Sequence, residues 1–408
     1  FIIFSLLFFF ISPRVSIFNM TIIDTEKALE LAVKKAFEAG AVAIDTEFVW
    51  ERTYYPKLGL VQMGYPDGTS DLIDTLAISD FSSLGRLLED LEVTKILHDA
   101  IQDLVILTRI TGYFPKTIFD TQRAAGFVGL SSTISLSDLL KECLSIHLNK
   151  TETQSNWLAR PLSENQIRYA EEDVCHGVAL MKALLEKAER LKHRDWLLEE
   201  MNLYNEEAQY RERAPEAMSP KVKKSGALSY PQKSLLRALF VWREGMARKQ
   251  NLPRTFILSD ENLLRLVKSP PKSYSELKQK DLGRRFLSKF SKTLWQAFEF
   301  AQSDPLPALK SHNFRYEKKE ALEAQVDLAL AFIKGLSLAS GIDPSLISNR
   351  AGITQFVYAV SENEQFLAEQ SLFQGWRKAF CGKDLSQLLK GRGSIRVDAQ
   401  KQMPVYSP

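Results

Sequence analysis

Cysteine is scarce. Three in 408 residues, Cys143, Cys175 and Cys381, are too few and too scattered for a disulfide framework or a cysteine-based zinc site. That scarcity points to a reducing compartment, with the cytoplasm as the default. A dominant charge is lacking as well: 53 Lys and Arg against 50 Asp and Glu leave a formal +3. No global field announces nucleic acid, although a local basic groove is invisible in such a total. A membrane-spanning run is also missing. The opening FIIFSLLFFFISPRVSIFN ends its apolar run near Ile11, short of the roughly 18 residues a span requires. It carries neither a basic leader nor an A-x-A-like cleavage site, so no membrane partner is expected. Because the chain starts with Phe while Met20 opens MTIIDTEKALELAVKKA, a strand followed by an amphipathic helix, residues 1–19 read as an upstream extension foreign to the native protein, with a membrane anchor as the less favoured alternative. Short-period repeats and low-complexity tracts are absent.

What is present is a globular composition, 45% hydrophobic and 25% charged, with length for two or three domains at roughly 150 residues each. From Thr21 to about Leu191, strand-like and helical segments alternate, the signature of an α/β domain. The strands read as AVAIDTEF, LGLVQMGY, SDLIDT and TKILHD. The helices read as TEKALELAVKKAFEAG, FSSLGRLLEDL, IQDLVILTRITG, TQRAAGFVG, SLSDLLKECL and one long SENQIRYAEEDVCHGVALMKALLEKAERL. RAPEAMSPKVKKSGALSYPQ, polar with two prolines and a lysine cluster, reads as a linker. Beyond it no strand is expected; the remainder reads as helical, with breaks at SPPKSY and SDPLPALKSHNF.

AVAIDTEF poses the central question. Residues two apart on a strand project to one face, so Asp45 and Glu47 point together beside an apolar core, where an isolated ionised carboxylate is expensive. Taken alone, a D-x-E past a strand end is more simply two solvated acids. A further acid, Asp103 in ILHDAIQDLVIL, falls at a strand-to-helix junction among Ile101, Leu104 and Val105. By itself it is a first-turn acid stabilised by the helix dipole, and His98 alone is a structural histidine. In IRYAEEDVCHGVAL, Tyr169 and Asp173 stand four apart and share a helix face, while Glu171 and Glu172 fall on others. Singly each element has an ordinary structural explanation; the ordered set shifts the balance. Four carboxylates from three elements suit a pair of hard divalent cations. Two such ions about 3.5–4 Å apart stabilise both oxygens of an in-line displacement at phosphorus.

That constellation resembles the three exonuclease motifs of the DEDD superfamily, in its tyrosine-bearing branch. IDTEFVWERTYYPKLGLVQMG, FDTQRAAGFVG and NWLARPLSENQIRYAEEDV resemble bacterial ribonuclease D more closely still. The resemblance implies a ribonuclease H-like mixed-sheet exonuclease domain and 3′-to-5′ trimming of transfer RNA precursors and other small structured RNAs, with magnesium or manganese and release of nucleoside 5′-monophosphates. It makes Asp45, Glu47, Asp103 and Asp173 the ligands of two divalent cations and Tyr169 the residue that positions the attacking water. His176 follows Asp173, so it does not replace Tyr169 as histidine does in the sister branch. PQKSLLRALFVWREGMARKQNLPRTFILSDENLLRLVKSPPKSYSELKQ is similar to the helical, nucleic-acid-binding HRDC domain. ALEAQVDLALAFIKGLSLASGIDPSLISNRAGITQFV and LFQGWRKAFCGKDLSQLLKG suggest a second, diverged copy. The expected division is 1–19 extension, 20–210 exonuclease domain, 211–229 linker, 230–305 first HRDC domain, 315–395 second HRDC-like domain and 396–408 tail.

Substrate contacts are expected from Lys150 and Arg160 on phosphate, Trp157 as a base-stacking platform, and Gln62 and His98 near the acids. Competing structural explanations are that Trp157 packs, Arg160 pairs with an acid and Gln62 merely finishes a strand. A single-stranded 3′ end threaded to the acids would be read with little sequence preference, by a monomer. Two rival functions remain open: a DNA-directed exonuclease of the same branch, and a non-catalytic scaffold built on a relic nuclease. The survival of all four acids and Tyr169 opposes the relic, and the tandem helical C-terminus favours RNA. Because MSPKVKKSG commits little apolar surface, a cut near Ser219 is expected to leave a folded nuclease.

Overall fold

The structure, a computed structural model, describes residues 20–148, 155–303, 319–362 and 364–408. The chain enters through β1 (Met20–Ile23). Thr25 then caps α1 (Glu26–Ala39) by accepting the Ala28 N–H at 3.3 Å, and Gly40 at φ 68° closes the helix in the left-handed conformation that glycine adopts without strain. The meander β2 (Ala41–Val49), β3 (Lys57–Gly64) and β4 (Ser70–Asp74) follows. After it come α2 (Ser82–Glu89), β5 (Thr94–Leu97), α3 (Ile101–Thr111), β6 (Ile118–Asp120), α4 (Thr121–Ala125) and α5 (Leu136–Leu144). The six strands lie in the order β1-β4-β3-β2-β5-β6, with β3 antiparallel to both its neighbours and the other pairings parallel. β2 is therefore central, flanked by β3 and β5, which explains its near-continuous apolar run before the acids. β6 was not expected from the sequence: three residues are too few to show a period of two.

The long helix expected over 163–191 is two helices, α6 (Glu164–Glu172) and α7 (Gly177–Arg190), followed by α8 (Arg194–Met201). The break is forced by close packing on the sheet. A side chain at Gly177 would meet the Ala43 Cβ at 2.5 Å, and one at Gly64 would strike the Val174 carbonyl. The turn between the helices thus rests against β2 and β3, at Ala43, two residues before Asp45.

The first C-terminal unit is helical: α9 (Tyr230–Gln250), α10 (Arg254–Ile257), α11 (Asp260–Lys268), α12 (Tyr274–Gln279) and α13 (Arg284–Ser303). The stretch read as a linker is partly packed, with Val222 and Leu228 buried among Leu239, Leu263 and Leu294 of that unit. The break SDPLPALKSHNF lies outside the described residues save its first. Beyond it, α14 (Lys319–Ser340), α15 (Pro344–Ile347), α16 (Arg350–Glu362) and shorter turns through Leu389 share one continuous apolar core with the nuclease sheet. The Phe127 and Trp376 rings meet edge to face at 5.2 Å, and the Asp343 N–H donates to the Gly126 carbonyl at 2.8 Å. The expectation of no strand after the linker is corrected by a hairpin, β7 (Ser394–Asp398) and β8 (Met403–Ser407), which begins two residues before the expected tail. Its alternation is weak and Pro404 interrupts it; packing on α14, with Tyr406 edge to face on Phe332 at 5.4 Å, supplies what a lone two-stranded ribbon lacks. Among the described residues no helix is long and apolar enough to cross a membrane.

Candidate active site

The period of two places Asp45 and Glu47 on the same face of β2, and a bulge at Glu47 and Phe48 ends regular pairing with β3 there. Asp173 caps the C-terminus of α6, its N–H still donating to the Tyr169 carbonyl at 3.1 Å, so the helical offset of four survives the break that follows. Carboxylate oxygens of Asp45, Glu47 and Asp173 come within 4.8 Å of one another. Asp103, in the first turn of α3, is not among these three; the Thr46 hydroxyl donates to its Oδ1, and its charge acts on Asp45 and Glu47. Asp45, Tyr169 and Asp173 border a cleft of about 190 Å³ lined also by Ile44, His98, Thr121, Leu136 and Leu180.

Charge balance is the site's defining feature. Among the described residues no lysine or arginine pairs with these acids. Burial, then the charges of Asp103, Asp173 and Glu47, drives the Asp45 carboxyl well above the usual carboxylate range. Burial and the charges of Asp173 and Asp103 push Glu47 up to about 8. Asp103 and Asp173 are also raised by burial, offset in part by hydrogen bonds from Thr46 and Tyr169 respectively. The Tyr169 phenol is raised by burial and by the neighbouring carboxylates, so it stays protonated at any physiological pH. Clustered oxygen ligands that repel one another in the absence of a cation fit hard divalent ions, whose binding removes that repulsion.

The expected substrate contacts fare differently. Trp157 is only 3% exposed and packs against Leu60, Leu72 and Ala170, so it is a wall and not a stacking platform. Arg160 grips Asp74 through two 2.6 Å hydrogen bonds and also donates to the Gly59 and Trp157 carbonyls, leaving no free fork for phosphate. Gln62 is 0% exposed, out of a substrate's reach. His98 lines the cleft, but its Nδ1 contacts the Thr121 hydroxyl at 2.9 Å and its Nε2 the Ile134 carbonyl at 3.0 Å. Lys150 lies outside the described residues.

Two residues escaped the sequence reading. Asp120 caps α4 by accepting from Gln122 and Arg123, and accepts further from the Ala100 N–H at 3.0 Å, the Asp99 N–H at 3.2 Å and the Tyr204 hydroxyl at 2.5 Å. It thereby pins the turn before α3, where Asp99 adopts φ 59°, and so aims Asp103. Its sequence signal was an acid directly before a helix. Trp50, three residues beyond Glu47, is 54% exposed, with its indole N–H donating to the Tyr54 carbonyl at 2.9 Å. Exposure has no sequence signal.

Comparison with known proteins follows the same division of the chain. A family model described as 3′-5′ exonuclease matches residues 20–189, and the HRDC domain model matches 232–297. Ribonuclease D of Desulfotalea psychrophila is 39% identical over 371 residues, covering 90% of this chain and 97% of the relative. Ribonuclease D of Escherichia coli is 30% identical over 374 residues, covering 91% and 99%. The crystal structure of the E. coli protein, described as an exoribonuclease involved in structured RNA processing, superposes with a TM-score of 0.79 over 92% of this chain and 99% of that one, at 30% identity.

Proposed function

This chain belongs to the ribonuclease D family and is a 3′-to-5′ exoribonuclease, and from that premise we propose that it trims the 3′ ends of transfer RNA precursors and other small structured RNAs. Nucleoside 5′-monophosphates are the products. The observation that carries this reading is the cluster of Asp45, Glu47 and Asp173 within 4.8 Å, with no lysine or arginine paired to it among the described residues. Use of divalent metal goes with the family; we assign two ions, magnesium or manganese, to Asp45, Glu47, Asp103 and Asp173. Bound there, they would stabilise the attacking and leaving oxygens of an in-line displacement.

The remaining work falls to the chain. Tyr169, protonated and in hydrogen-bonding contact with Asp173, orients the attacking water without serving as its base. Thr46 and Asp120 hold Asp103 in place from two sides. The 3′ end would meet Asp45, Tyr169 and Asp173 at their cleft, and the backbone and base faces of a single strand offer a sequence-tolerant grip. With Trp157 buried, the aromatic we assign to base contact is the exposed Trp50, three residues beyond Glu47. The protein acts as a monomer in the reducing cytoplasm, where Cys143, Cys175 and Cys381 stay unpaired. Digestion of a 3′-extended transfer RNA precursor beside single-stranded DNA, with and without divalent metal, tests the reading. Metal-dependent release of 5′-mononucleotides from the precursor is expected. Equal turnover in chelator, or preference for DNA, would sink it.

A further inference from the structure

Gln62 sits mid-sheet on β3, directly opposite Asp45 on β2 and Leu72 on β4. Residues directly opposed across antiparallel strands point to the same face, so its amide shares the face of Asp45. That face is roofed by α6 through Ala170, with Leu60, Leu72 and Trp157 completing the wall and Tyr169 against it. Gln62 is fully buried, and neither its amide nitrogen nor its amide oxygen has a hydrogen-bond partner among the described residues. A buried, unpaired amide costs free energy that an apolar side chain of the same size would not. Its strand, KLGLVQMG, is otherwise apolar along its buried length. Packing alone would be served better by methionine or leucine, so the amide belongs to a state in which it is paired.

The charged group directly opposite on the neighbouring strand is Asp45, whose carboxylate receives the Thr46 backbone N–H but, among the described residues, no side-chain hydrogen bond. We propose that Gln62 is a positioning residue: when a divalent cation occupies the acid cluster, its Nε2–H donates to the Asp45 carboxylate oxygen turned away from the ion and holds that ligand in its binding rotamer. Hydrogen bonds of this kind orient ligating carboxylates in metal sites generally, and their loss typically weakens metal affinity by about 10–100-fold. The proposal rests on the reading of Asp45 as a metal ligand.

Gln62→Met, with Gln62→Leu beside it, tests the idea. Calorimetric titration of manganese into the metal-free protein should show affinity lowered by about tenfold or more. The metal-free variants should melt at or above the wild-type temperature, because an unpaired amide has been removed. KM for RNA should hold while kcat recovers as manganese is raised. Unchanged manganese affinity in a folded variant would overturn the proposal. So would melting well below wild type in both variants, since the amide would then have a stabilising partner without metal. Asp45→Asn, run in parallel, separates the two levels: if it too left manganese binding intact, the metal-ligand reading would fail, independently of Gln62.

Discussion

Two buried acid sites in this one chain are built on opposite principles. Glu200 on α8, 1% exposed, lies where the second C-terminal unit meets the nuclease sheet. It is fully served: Arg123 Nε at 2.8 Å, Arg377 Nη1 and Nη2 at 2.8 and 2.7 Å, and the Trp376 indole at 2.7 Å. Burial pushes its carboxyl up, but Arg377 and Arg123 with Trp376 outweigh burial and hold it below its usual range. Asp45, Glu47 and Asp173 have no such cations among the described residues, and burial raises all three, with repulsion from neighbouring carboxylates added at Asp45 and Glu47. The lesson is one of supply. Where the protein provides the counter-charge, a buried acid fastens two units together; where it does not, the acid is free to take its counter-charge from solution.

The largest expected break in that contrast is Asp45→Asn or Asp173→Asn. Turnover should fall by at least about a thousandfold, since a lost ligand forfeits several kcal/mol of transition-state stabilisation, while the metal-free fold stays intact because a like charge has gone. Near-wild-type single-turnover rates at saturating magnesium would refute the assignment. Glu200→Ala should do the reverse: about 3–5 kcal/mol of stability lost, as expected when one partner of a buried ion pair is removed, with the acid cluster chemically untouched. Urea unfolding measures it, and a loss under about 1 kcal/mol would count against the interface. For the same reason a chain cut near Ser219, expected from sequence to be a folded nuclease, should aggregate, because Phe127 and Trp196 lose the cover of Trp376 and Phe380.

A smaller effect is predicted for Tyr169→Phe, about a hundredfold in rate with metal affinity retained, at the low end of what a positioned proton-handling group supplies; calorimetry beside kinetics separates the two, and a normal rate would return Tyr169 to packing. The smallest effect sharpens the comparison by sign. Folded Glu47 titrates near 8 against 4.5 for the free side chain, so between those values the native state binds the extra proton. Stability of the metal-free protein should therefore be fully present below about pH 4.5 and fall as pH rises toward 8. Glu200 runs the other way: its stabilisation is present above 4.5 and is lost as pH drops through its lowered value. Melting curves across pH should show Glu47→Gln flattening the upper limb and Glu200→Gln the lower one; either variant flattening the other's limb would break the scheme.

The first C-terminal unit supplies a third kind of attachment. Tyr54, on the loop after β2, meets Glu244, Arg248 and Arg254 of that unit in a polar clamp, and the Tyr55 N–H donates to Asn251 Oδ1 at 3.0 Å. Its apolar core is its own, built on Leu239, Leu263 and Leu294, whereas the second unit's core is continuous with the sheet. Two stretches that both read as helical accessory domains are thus joined to the nuclease in different ways.

The sequence by itself determined whatever depends on a residue's direction from its own backbone: the α/β alternation, Asp45 and Glu47 on one strand face, Tyr169 and Asp173 four apart, and Asp103 in a first helical turn. Periods of 2 and 3.6 are local properties, so they survive translation into three dimensions. Only tertiary structure decided what lies opposite each residue. Trp157 and Arg160 had the chemistry to hold RNA, and Leu60 and Asp74 claimed them; Gln62 could have faced a strand of substrate, and α6 roofed it over. The helix break at Asp173 comes from Ala43, more than a hundred residues away in sequence, and the C-terminal hairpin exists because α14 is there to pack against. The physical reason is common to all of these: burial and pairing are contacts between distant segments, and the pattern of one segment carries no record of which other segment will cover it.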